Sequence, residues 1–262
     1  MGPFAVIFPA AGKSSRFGDP RQKKIYAELD GRAVWLRAVE PFLNRDDVAQ
    51  MILAIAPEDR ELFERRYRAN VAFLNIKVIE GGAERSETVA KALDMVDDRC
   101  EFVAIHDAAR PCLSPALIDA VFEAARRHGA ALPAVAVAET IKRVDDDKFA
   151  IETVPRDRLY LAQTPQVFRK EILGRAYAQR SRLGSAITDD CQLVEAVGQR
   201  CAVVEGSRYN IKITTPEDLR LAAAILPLLE PLPNEGAAHP YSDEKAIFEK
   251  LPKIKPSDLF GA

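Results

Sequence analysis

Short apolar runs alternate with amphipathic stretches over most of the chain, and this alternation restricts the possible folds more than any other feature. The apolar runs have the length of strands and lie at 4–8, 51–55, 76–79, 102–105 and 131–137. The amphipathic stretches have the length of helices and lie near 32–43, 58–69, 84–96 and 115–128. Strand–helix–strand units with right-handed connections build a parallel sheet covered by helices on both faces. The sequence therefore predicts an α/β fold with a mostly parallel, twisted sheet.

The second half of the chain departs from this rhythm and then resumes it. Two short strands around a polar turn predict a hairpin arm at about 139–156, which either packs on another subunit or forms a local flap. Regular elements then return, with helices expected at 169–180, 189–197 and 216–228 and strands at 201–204 and 210–213. We expect one domain over 1–230 and a C-terminal extension, 231–262, whose prolines argue against a packed fold.

Composition excludes several classes of function. A net charge of −2 over 262 residues argues against a protein that binds nucleic acid or a membrane surface through bulk charge. No apolar run approaches the ~18 residues of a membrane span, so no membrane partner is expected. Cys100, Cys112, Cys191 and Cys201 lack CxxC spacing, so they predict buried free thiols in a reducing, cytoplasmic environment, with a structural zinc site as the alternative.

The first apolar run ends in a loop with the outline of a polyphosphate site. Ala10, Ala11 and Gly12 have small side chains or none, so a ligand can approach their backbone N–H groups. Positive charge follows at Lys13, Arg16 and Lys24. The alternative is an ordinary strand-to-loop turn followed by solvated basic residues.

Two familiar phosphate-binding motifs do not match this loop. A Walker A motif requires a glycine five residues before Gly12, where the chain has Ile7. The dinucleotide-binding fingerprint requires a glycine at position 14, where the chain has Ser14. If the loop binds a polyphosphate, it does so through neither of these motifs.

Reactive side chains also follow later predicted elements. Asp107 follows the run 102–105, where a carboxylate is typical of a magnesium ligand beside phosphates, although it could equally cap the turn and pair with Arg110. Gly81 and Gly82 precede a helix and could hold a flat base against the backbone, as any glycine-rich helix start could. Lys212 lies near the end of the predicted strand 210–213, a position where lysine is more often solvated than catalytic.

The set of these segments and their order along the chain resemble the 2-C-methyl-D-erythritol 4-phosphate cytidylyltransferase family. The resemblance extends over roughly residues 3–228. The matching phrases are Pro-Ala-Ala-Gly at 9–12 with Arg16, Lys24 with Tyr26, 82–88, Ile-His-Asp-Ala-Ala-Arg-Pro at 105–111, Glu-Thr-Ile-Lys-Arg at 139–143, Gln-Thr-Pro-Gln at 163–166 and Asn-Ile-Lys-Ile-Thr-Thr-Pro-Glu-Asp at 210–218. The chain departs from the family pattern at Ser14, where members usually carry glycine, and at Tyr209, where many carry an acidic residue. Lys24 aligns with the family lysine when counted back from Tyr26, and Lys23 is its competitor.

The resemblance implies a Rossmann-like fold of the nucleotidyltransferase type and a defined set of site residues. Ala10, Ala11 and Gly12 would present backbone to the triphosphate of CTP, with Arg16, Lys24 and Lys212 as the catalytic cations. Gly82, Arg85 and Thr88 would line the cytosine pocket, and Asp107 would hold Mg²⁺ or another divalent cation. The polyol phosphate would contact Asp107, Arg110, Thr140, Arg156 and Thr164. Thr140 and Arg156 would come from the arm of the partner subunit in a homodimer.

The expected activity is cytidylyl transfer to 2-C-methyl-D-erythritol 4-phosphate in the non-mevalonate isoprenoid pathway, with release of pyrophosphate. One alternative retains the reaction and changes the acceptor to ribitol 5-phosphate or another pentitol phosphate. A methyl group is worth only ~1–3 kcal/mol of discrimination, so the sequence does not separate these acceptors. An alternative of another class is a nucleotide-binding module without catalysis. Lys24 and Lys212 argue against it, because a binding module does not need charge on two sides of one phosphate.

Overall fold

The computed structural model describes residues 2–14, 17, 23–182 and 187–229. Within them, eight strands form one sheet: β1 (Phe4–Ala10), β4 (Val48–Ile55), β5 (Ile76–Glu80), β6 (Phe102–Ile105), β7 (Ala130–Ala136), β10 (Tyr160–Ala162), β11 (Gln166–Arg169) and β12 (Ala202–Glu205). The helices are α1 (Val34–Val39), α2 (Arg60–Phe73), α3 (Arg85–Leu93), α4 (Pro115–His128), α5 (Lys170–Ala178), α6 (Asp190–Ala196) and α7 (Pro216–Ile225). The short pairs β2 (Glu28–Leu29) with β3 (Arg32–Ala33) and β8 (Ile141–Val144) with β9 (Ala150–Val154) form two separate two-stranded sheets.

The large sheet is mostly parallel, as predicted. Its strands follow the order β10-β7-β11-β6-β1-β4-β5, and β12 also pairs with β7. The pairs β1–β4, β1–β6, β4–β5 and β7–β12 are parallel. Strand β11 runs antiparallel between β6 and β7, and β10 runs antiparallel to β7.

Side chains alternate across the central strand β1 and build a hydrophobic core on each face of the sheet. Phe4, Val6 and Phe8 pack with side chains of α1, α2 and α4. Ala5 and Ile7 pack on the other face with side chains of α3, α5 and α6. Each large apolar side chain buried in this way contributes roughly 1.5–3 kcal/mol. Both faces of the strand are buried, which explains why its sequence is continuously apolar.

A third, smaller cluster lies beside the small hairpin β2–β3. Ala222 and Ile225 of α7 pack with Leu29, Cys112 and Ile213. The helix begins with a capping box, in which the Thr215 hydroxyl accepts a hydrogen bond from the backbone of Asp218 and the Asp218 carboxylate accepts one from the backbone of Thr215. This cluster fixes the chain segment that carries Lys212.

Two predicted elements differ from the structure. The strand predicted at 210–213 is irregular, because its backbone bonds reach loops: Ile213 N–H donates to Ala109 O at 2.8 Å instead of to a neighbouring strand. The helix predicted over 32–43 contains regular α-helix only from Val34 to Val39, since Arg32 and Ala33 pair as β3. The sequence also did not predict β2, β10 or β11.

The remaining predictions have mixed outcomes. The predicted arm is a hairpin, in which β8 pairs with β9 within the range 139–156. All four cysteines are free thiols, and Cys201 is only partly buried. Among the described helices, none combines the length and apolarity that a membrane span requires. The extension 231–262 lies outside the described residues, and the boundary near 230 stays a prediction.

Candidate active site

A cleft of about 140 Å³ opens at the carboxyl ends of β1 and β6. Open parallel sheets place ligands at this edge, because the loops that follow adjacent strands converge there. Its lining brings together segments that are far apart in sequence: Pro9–Gly12, Ser14, Lys24, Ile25, Gly82–Arg85, Thr88, Asp107–Ala109 and Lys212.

The loop after β1 touches the start of α3 so closely that small residues are required. A Cβ atom at Gly81 would lie 2.6 Å from the Cβ of Ala11 and 2.9 Å from the Thr88 hydroxyl oxygen. Gly81 N–H also donates to Ile55 O at 2.7 Å, which fixes the turn between β5 and α3 to the end of β4. The close approach leaves backbone groups of Ala10, Ala11 and Gly12 along one wall of the cleft.

Thr88 shapes the opposite wall from the first turns of α3. Its hydroxyl accepts a hydrogen bond from Gly82 N–H at 3.0 Å and donates to Glu84 O, also at 3.0 Å. The side chain of Glu87 accepts from Ala83 N–H at 2.9 Å. These bonds hold the turn 82–84, with Gly82 and Thr88 facing the same cleft as the loop after β1.

Asp107 is the buried carboxylate at the centre of the cleft. Its Oδ2 lies 2.9 Å from the Lys212 ammonium and 3.4 Å from Nε of Arg110, and its Oδ1 lies 3.4 Å from Nε of Arg85. Burial alone would raise the pKa of Asp107, but the positive charges of Arg85, Lys212 and Arg110 hold it well below its ordinary value. Asp107 is therefore ionised and gathers three cations around one point. The capping alternative was partly right, because Arg110 is one of its partners.

Lys212 reaches this carboxylate from an irregular but firmly held segment. Ile213 N–H bonds to Ala109 O, and the side chain of Ile213 is fully buried beside α7. At the other end, the Arg110 guanidinium donates to Asn210 O at 2.7 Å. The segment is thus tied on both sides of Lys212 to the turn that carries Asp107.

The two candidate phosphate lysines lie in different surroundings. The Lys23 ammonium bonds to the carboxylates of Glu58 at 3.0 Å and Asp59 at 2.8 Å. Lys24 lines the cleft. The geometry favours Lys24 as the lysine that faces a bound polyphosphate.

Ser14 stands where the resemblance described above leads us to expect a glycine. Its φ of 54° lies in the left-handed region, which costs a non-glycine residue roughly 1–2 kcal/mol. Its hydroxyl oxygen accepts a hydrogen bond from the backbone N–H of Lys24 at 3.3 Å. A bond of this type contributes about 1 kcal/mol and offsets part of the backbone cost. Ser14 therefore links the loop after β1 to Lys24, which lines the same cleft.

His106 and Thr164 hold the turn that carries Asp107 from its buried side. The Thr164 hydroxyl accepts from Asp107 N–H at 3.1 Å and lies 3.1 Å from Nδ1 of His106. Since Nε2 of His106 lies 3.0 Å from Arg110 O, which can only accept, Nε2 carries the proton and Nδ1 accepts from Thr164. Burial lowers the pKa of His106 to about 4, so the ring is neutral near pH 7.

Arg85 is held between two acidic residues. Its guanidinium lies 2.8 Å from Oδ2 of Asp190, which is fully buried and accepts the Tyr177 hydroxyl on its other oxygen at 2.5 Å. Burial alone would lower the pKa of Arg85, but Asp190 and Asp107 raise it. Asp190 could not be recognised as a site residue from the sequence, because two aspartates at the start of a helix are typical of capping residues.

Four of the predicted site residues that the structure describes do not line the cleft: Arg110, Thr140, Arg156 and Thr164. Thr140 and Arg156 are exposed, and the Arg156 guanidinium donates to Ala138 O within its own arm. Arg110 and Thr164 lie behind the cleft as partners of Asp107. Arg16 lies outside the described residues.

A divalent cation fits this site only in partnership with a ligand. Among the described residues, no three His, Cys, Asp or Glu side chains are grouped as a metal site. Asp107 supplies one ionised carboxylate, and its Oδ1 has one ion-pair partner within 4 Å. Mg²⁺ is commonly held by one or two carboxylates together with phosphates and water. The donor set therefore fits a metal shared with a polyphosphate.

The cleft combines the backbone of small residues, lysines that converge on it and one ionised carboxylate. A protein needs these groups to hold a polyphosphate and to act at one of its phosphorus atoms. On this sheet topology, the combination defines a nucleotidyltransferase. Residues 4–227 match the family of 2-C-methyl-D-erythritol 4-phosphate cytidylyltransferases, and the chain belongs to that family.

Individual relatives agree over most of their length. The 2-C-methyl-D-erythritol 4-phosphate cytidylyltransferase of Rhodopirellula baltica is 42% identical over 233 residues, which cover 85% of this chain and 94% of that protein. The enzyme of the same name from Desulforamulus reducens is 38% identical, covering 86% and 97%. The crystal structure of the Thermus thermophilus enzyme of this name superposes with a TM-score of 0.71 at 34% identity, covering 86% of this chain and 98% of that one.

Proposed function

We propose that this protein transfers the cytidylyl group of CTP to 2-C-methyl-D-erythritol 4-phosphate. The products are 4-diphosphocytidyl-2-C-methyl-D-erythritol and pyrophosphate. The observation that carries the proposal is that Lys24, Lys212 and the loop 9–12 line one cleft in a chain of this family.

The chemistry consists of one displacement at phosphorus. A phosphate oxygen of the acceptor attacks the α-phosphorus of CTP, a new P–O bond forms, and the bond to the leaving pyrophosphate breaks. Two polyanions must come together for this step, so their repulsion and the developing charge are the main obstacles. Cations fixed in place before the reaction lower this barrier more effectively than mobile solvent charges do.

The chain's own residues divide this work between two walls. Backbone groups of Ala10, Ala11 and Gly12 approach the triphosphate from the β1 side, with Lys24 nearby. Lys212 approaches from the side of Asp107. Its ammonium, which is paired with the Asp107 carboxylate in the free protein, would bind the α-phosphate when CTP is present. Gly82 and Thr88 form the narrow wall that receives the base. Arg16 serves the triphosphate by family resemblance.

Asp107 is the residue that would hold Mg²⁺ together with phosphate oxygens. When bound, the metal would neutralise charge on the triphosphate and the leaving group. The protein offers one carboxylate among three cations, so we expect the apoprotein to bind Mg²⁺ only weakly at millimolar concentration. Calorimetric titration with Mg²⁺ alone, and then in the presence of CTP, measures this difference.

The arm would complete the acceptor site of a second copy in a homodimer. In the free chain, Phe149 and Ile151 are 71% and 61% exposed, which is costly for a hairpin in water. The arm also carries Thr140 and Arg156 away from the cleft of its own chain. Both facts support a role in a neighbouring subunit, where Arg156 would bind the acceptor phosphate and Thr140 a nearby polar group.

The central test is pyrophosphate release with CTP and a panel of acceptors. We expect turnover with 2-C-methyl-D-erythritol 4-phosphate that exceeds turnover with ribitol 5-phosphate, and little turnover when ATP, GTP or UTP replaces CTP. A higher kcat/KM with ribitol 5-phosphate would transfer the proposal to that acceptor. CTP binding without pyrophosphate release from any acceptor would leave a binding module and contradict the proposal.

A further inference from the structure

Asp59 connects the start of α2 to Lys23 and Tyr26, which lie one residue before and two residues after Lys24. Its Oδ2 accepts hydrogen bonds from the Lys23 ammonium at 2.8 Å and from the Tyr26 hydroxyl at 3.1 Å. The carboxylate is buried, and so is Tyr26, whose ring stacks on Tyr67 with the centroids 6.0 Å apart. One acidic side chain thus holds the residues on both sides of the lysine that lines the cleft.

Asp59 does not perform the usual function of an aspartate at its position. It is the N-cap residue of α2, where an Asp side chain ordinarily accepts a hydrogen bond from a backbone N–H of the first turn. No such bond forms at this helix start. The carboxylate points instead towards Lys23 and Tyr26, so the stabilisation that it supplies goes to the lysine segment.

The backbone of Lys24 is held from two directions. Residues Lys24–Tyr26 form one 3-10 turn, in which Tyr26 N–H donates to Lys23 O at 2.9 Å. Ser14 accepts the N–H of Lys24 from the loop after β1, while Asp59 holds the ends of the turn. With these positions fixed, the side chain of Lys24 emerges towards the cleft.

Charge pairing separates the roles of the two adjacent lysines. Asp59 and the exposed Glu58 neutralise Lys23, so its ammonium is engaged away from the cleft. Lys24 is the member of the pair that lines the cleft. The acidic residues at 58 and 59 therefore distinguish two adjacent lysines that the sequence alone does not separate.

We propose that Asp59 is a positioning residue for Lys24, which sets the affinity for the triphosphate by anchoring Lys23 and Tyr26. The proposal rests on the proposed function, because it concerns the same nucleotide site. Asp59 is not among the residues that line the cleft. Its contribution should therefore depend on the presence of the Lys24 amine.

A double-mutant cycle with CTP binding as the readout tests this dependence. We expect Asp59→Ala to raise the Kd of CTP, measured calorimetrically in the presence of Mg²⁺, by about tenfold in the otherwise unchanged protein. In a Lys24→Ala background, the same substitution should change the Kd less than twofold. Equal effects in the two backgrounds, or no effect in either, would overturn the proposal.

Matched variants separate positioning from general loss of structure. Glu58→Gln removes the other, exposed partner of Lys23 and should change the Kd of CTP less than twofold. Tyr26→Phe removes one hydrogen bond to Asp59 without removing the ring. It should raise the Kd of CTP about threefold when Lys24 is present and should not raise it in the Lys24→Ala protein. If Asp59→Ala does not fold, the same cycle with Tyr26→Phe decides the question. An increase with Tyr26→Phe that persists after Lys24→Ala would contradict the proposal.

This cycle can fail independently of the proposed activity. Pyrophosphate release by the unmodified protein establishes the activity whatever the Asp59 variants do. We also expect Asp59→Ala to raise the KM for CTP about tenfold and to change the KM for the acceptor less than twofold. Equal increases in both KM values would point to a general distortion of the cleft and would count against positioning through Lys24.

Discussion

The cleft and the arm both carry residues that the family resemblance assigns to the reaction, but they are built in opposite ways. In the cleft, Asp107 is buried and bonded to Lys212 and, through its backbone N–H, to Thr164 behind the cleft. In the arm, β8 and β9 pair only with each other, and Phe149 and Ile151 are mostly exposed. An isolated two-stranded hairpin is marginal in water. The described lining of the nucleotide cleft therefore comes from one chain, whereas the exposed arm has the features expected of a structure that packs on a second copy, as proposed above.

The largest expected effect tests whether the cleft depends on its own cations. Lys212→Ala should lower kcat by about two to four orders of magnitude, because a fixed charge beside the α-phosphate is lost. The fold should persist, since the neighbouring Ile213 keeps its packing and its bond to Ala109. Pyrophosphate release measures the rate, and circular dichroism verifies the fold. Lys77→Ala, at an exposed lysine of β5, is the control and should match the unmodified protein.

A rate for Lys212→Ala within threefold of the control would mean that the ion pair with Asp107 is structural. The cleft would then resemble any buried salt-bridge cluster, and the contrast with the arm would lose its functional meaning.

The next prediction concerns the arm. Arg156→Ala should raise the KM for the acceptor about ten- to a hundredfold and that for CTP less than threefold, because Arg156 does not line the cleft that receives the nucleotide. Steady-state kinetics with each substrate varied separately measures the two constants. A selective increase in the KM for CTP would contradict the assignment.

Mixing two defective proteins tests whether the arm acts on its own chain or on its partner. After exchange of subunits, a heterodimer of Lys212→Ala and Arg156→Ala would contain one site with both defects and one with neither, if the arm serves the neighbour. With the acceptor held well below its KM, where the Arg156→Ala site is slow, random pairing should then restore about a quarter of the unmodified activity. If the arm serves its own cleft, every site keeps one defect and the mixture should show no more activity than the two variants measured separately.

A smaller effect is expected from the exposed apolar residues of the arm. Phe149→Ser should weaken self-association about tenfold and leave the unfolding temperature of the monomer unchanged within 2 °C, because the ring has few contacts within its own chain. Light scattering over a range of protein concentrations measures association. His128→Ser, at the end of α4, serves as a control outside the arm. Unchanged association would show that the arm does not form the dimer contact.

The contrast between the two regions also explains how far the sequence could predict this structure. The alternation of strands and helices is a local signal, so β1, β4, β5, β6, β7 and α4 were predicted close to their observed bounds. The strands β10 and β11 are short and antiparallel, and their pairing depends on distant strands that no local pattern specifies. The strand predicted at 210–213 failed for the same reason, because Ile213 bonds to a loop rather than to a sheet.

The candidate site shows the same division between local and distant information. Pro9–Gly12 and His106–Asp107 could be identified from motifs, because each lies at the carboxyl end of a strand. Asp59 and Asp190 could not, since an aspartate at a helix start has the same sequence signal whether it caps the helix or bonds to a distant side chain. The choice between Lys23 and Lys24 also required the structure, because it depends on the acidic pair at 58 and 59.

The smallest expected effect concerns His106, which is fully buried beneath the cleft. Its pKa is about 4 in the folded protein, below the ordinary value of 6.5, so between these values the unfolded chain binds a proton that the native state excludes. The free energy of unfolding should therefore fall as the pH is lowered from about 6.5 to about 4, by an amount on the order of 3 kcal/mol, with no further loss from this group below pH 4. Chemical denaturation at a series of pH values measures this slope. His106→Asn should be less stable at pH 7, because the ring's packing is lost, but its stability should vary less between pH 6.5 and 4. His128→Asn, an exposed histidine, should retain the slope of the unmodified protein, and equal slopes in all three proteins would show that the buried ring does not control the acid sensitivity of the cleft.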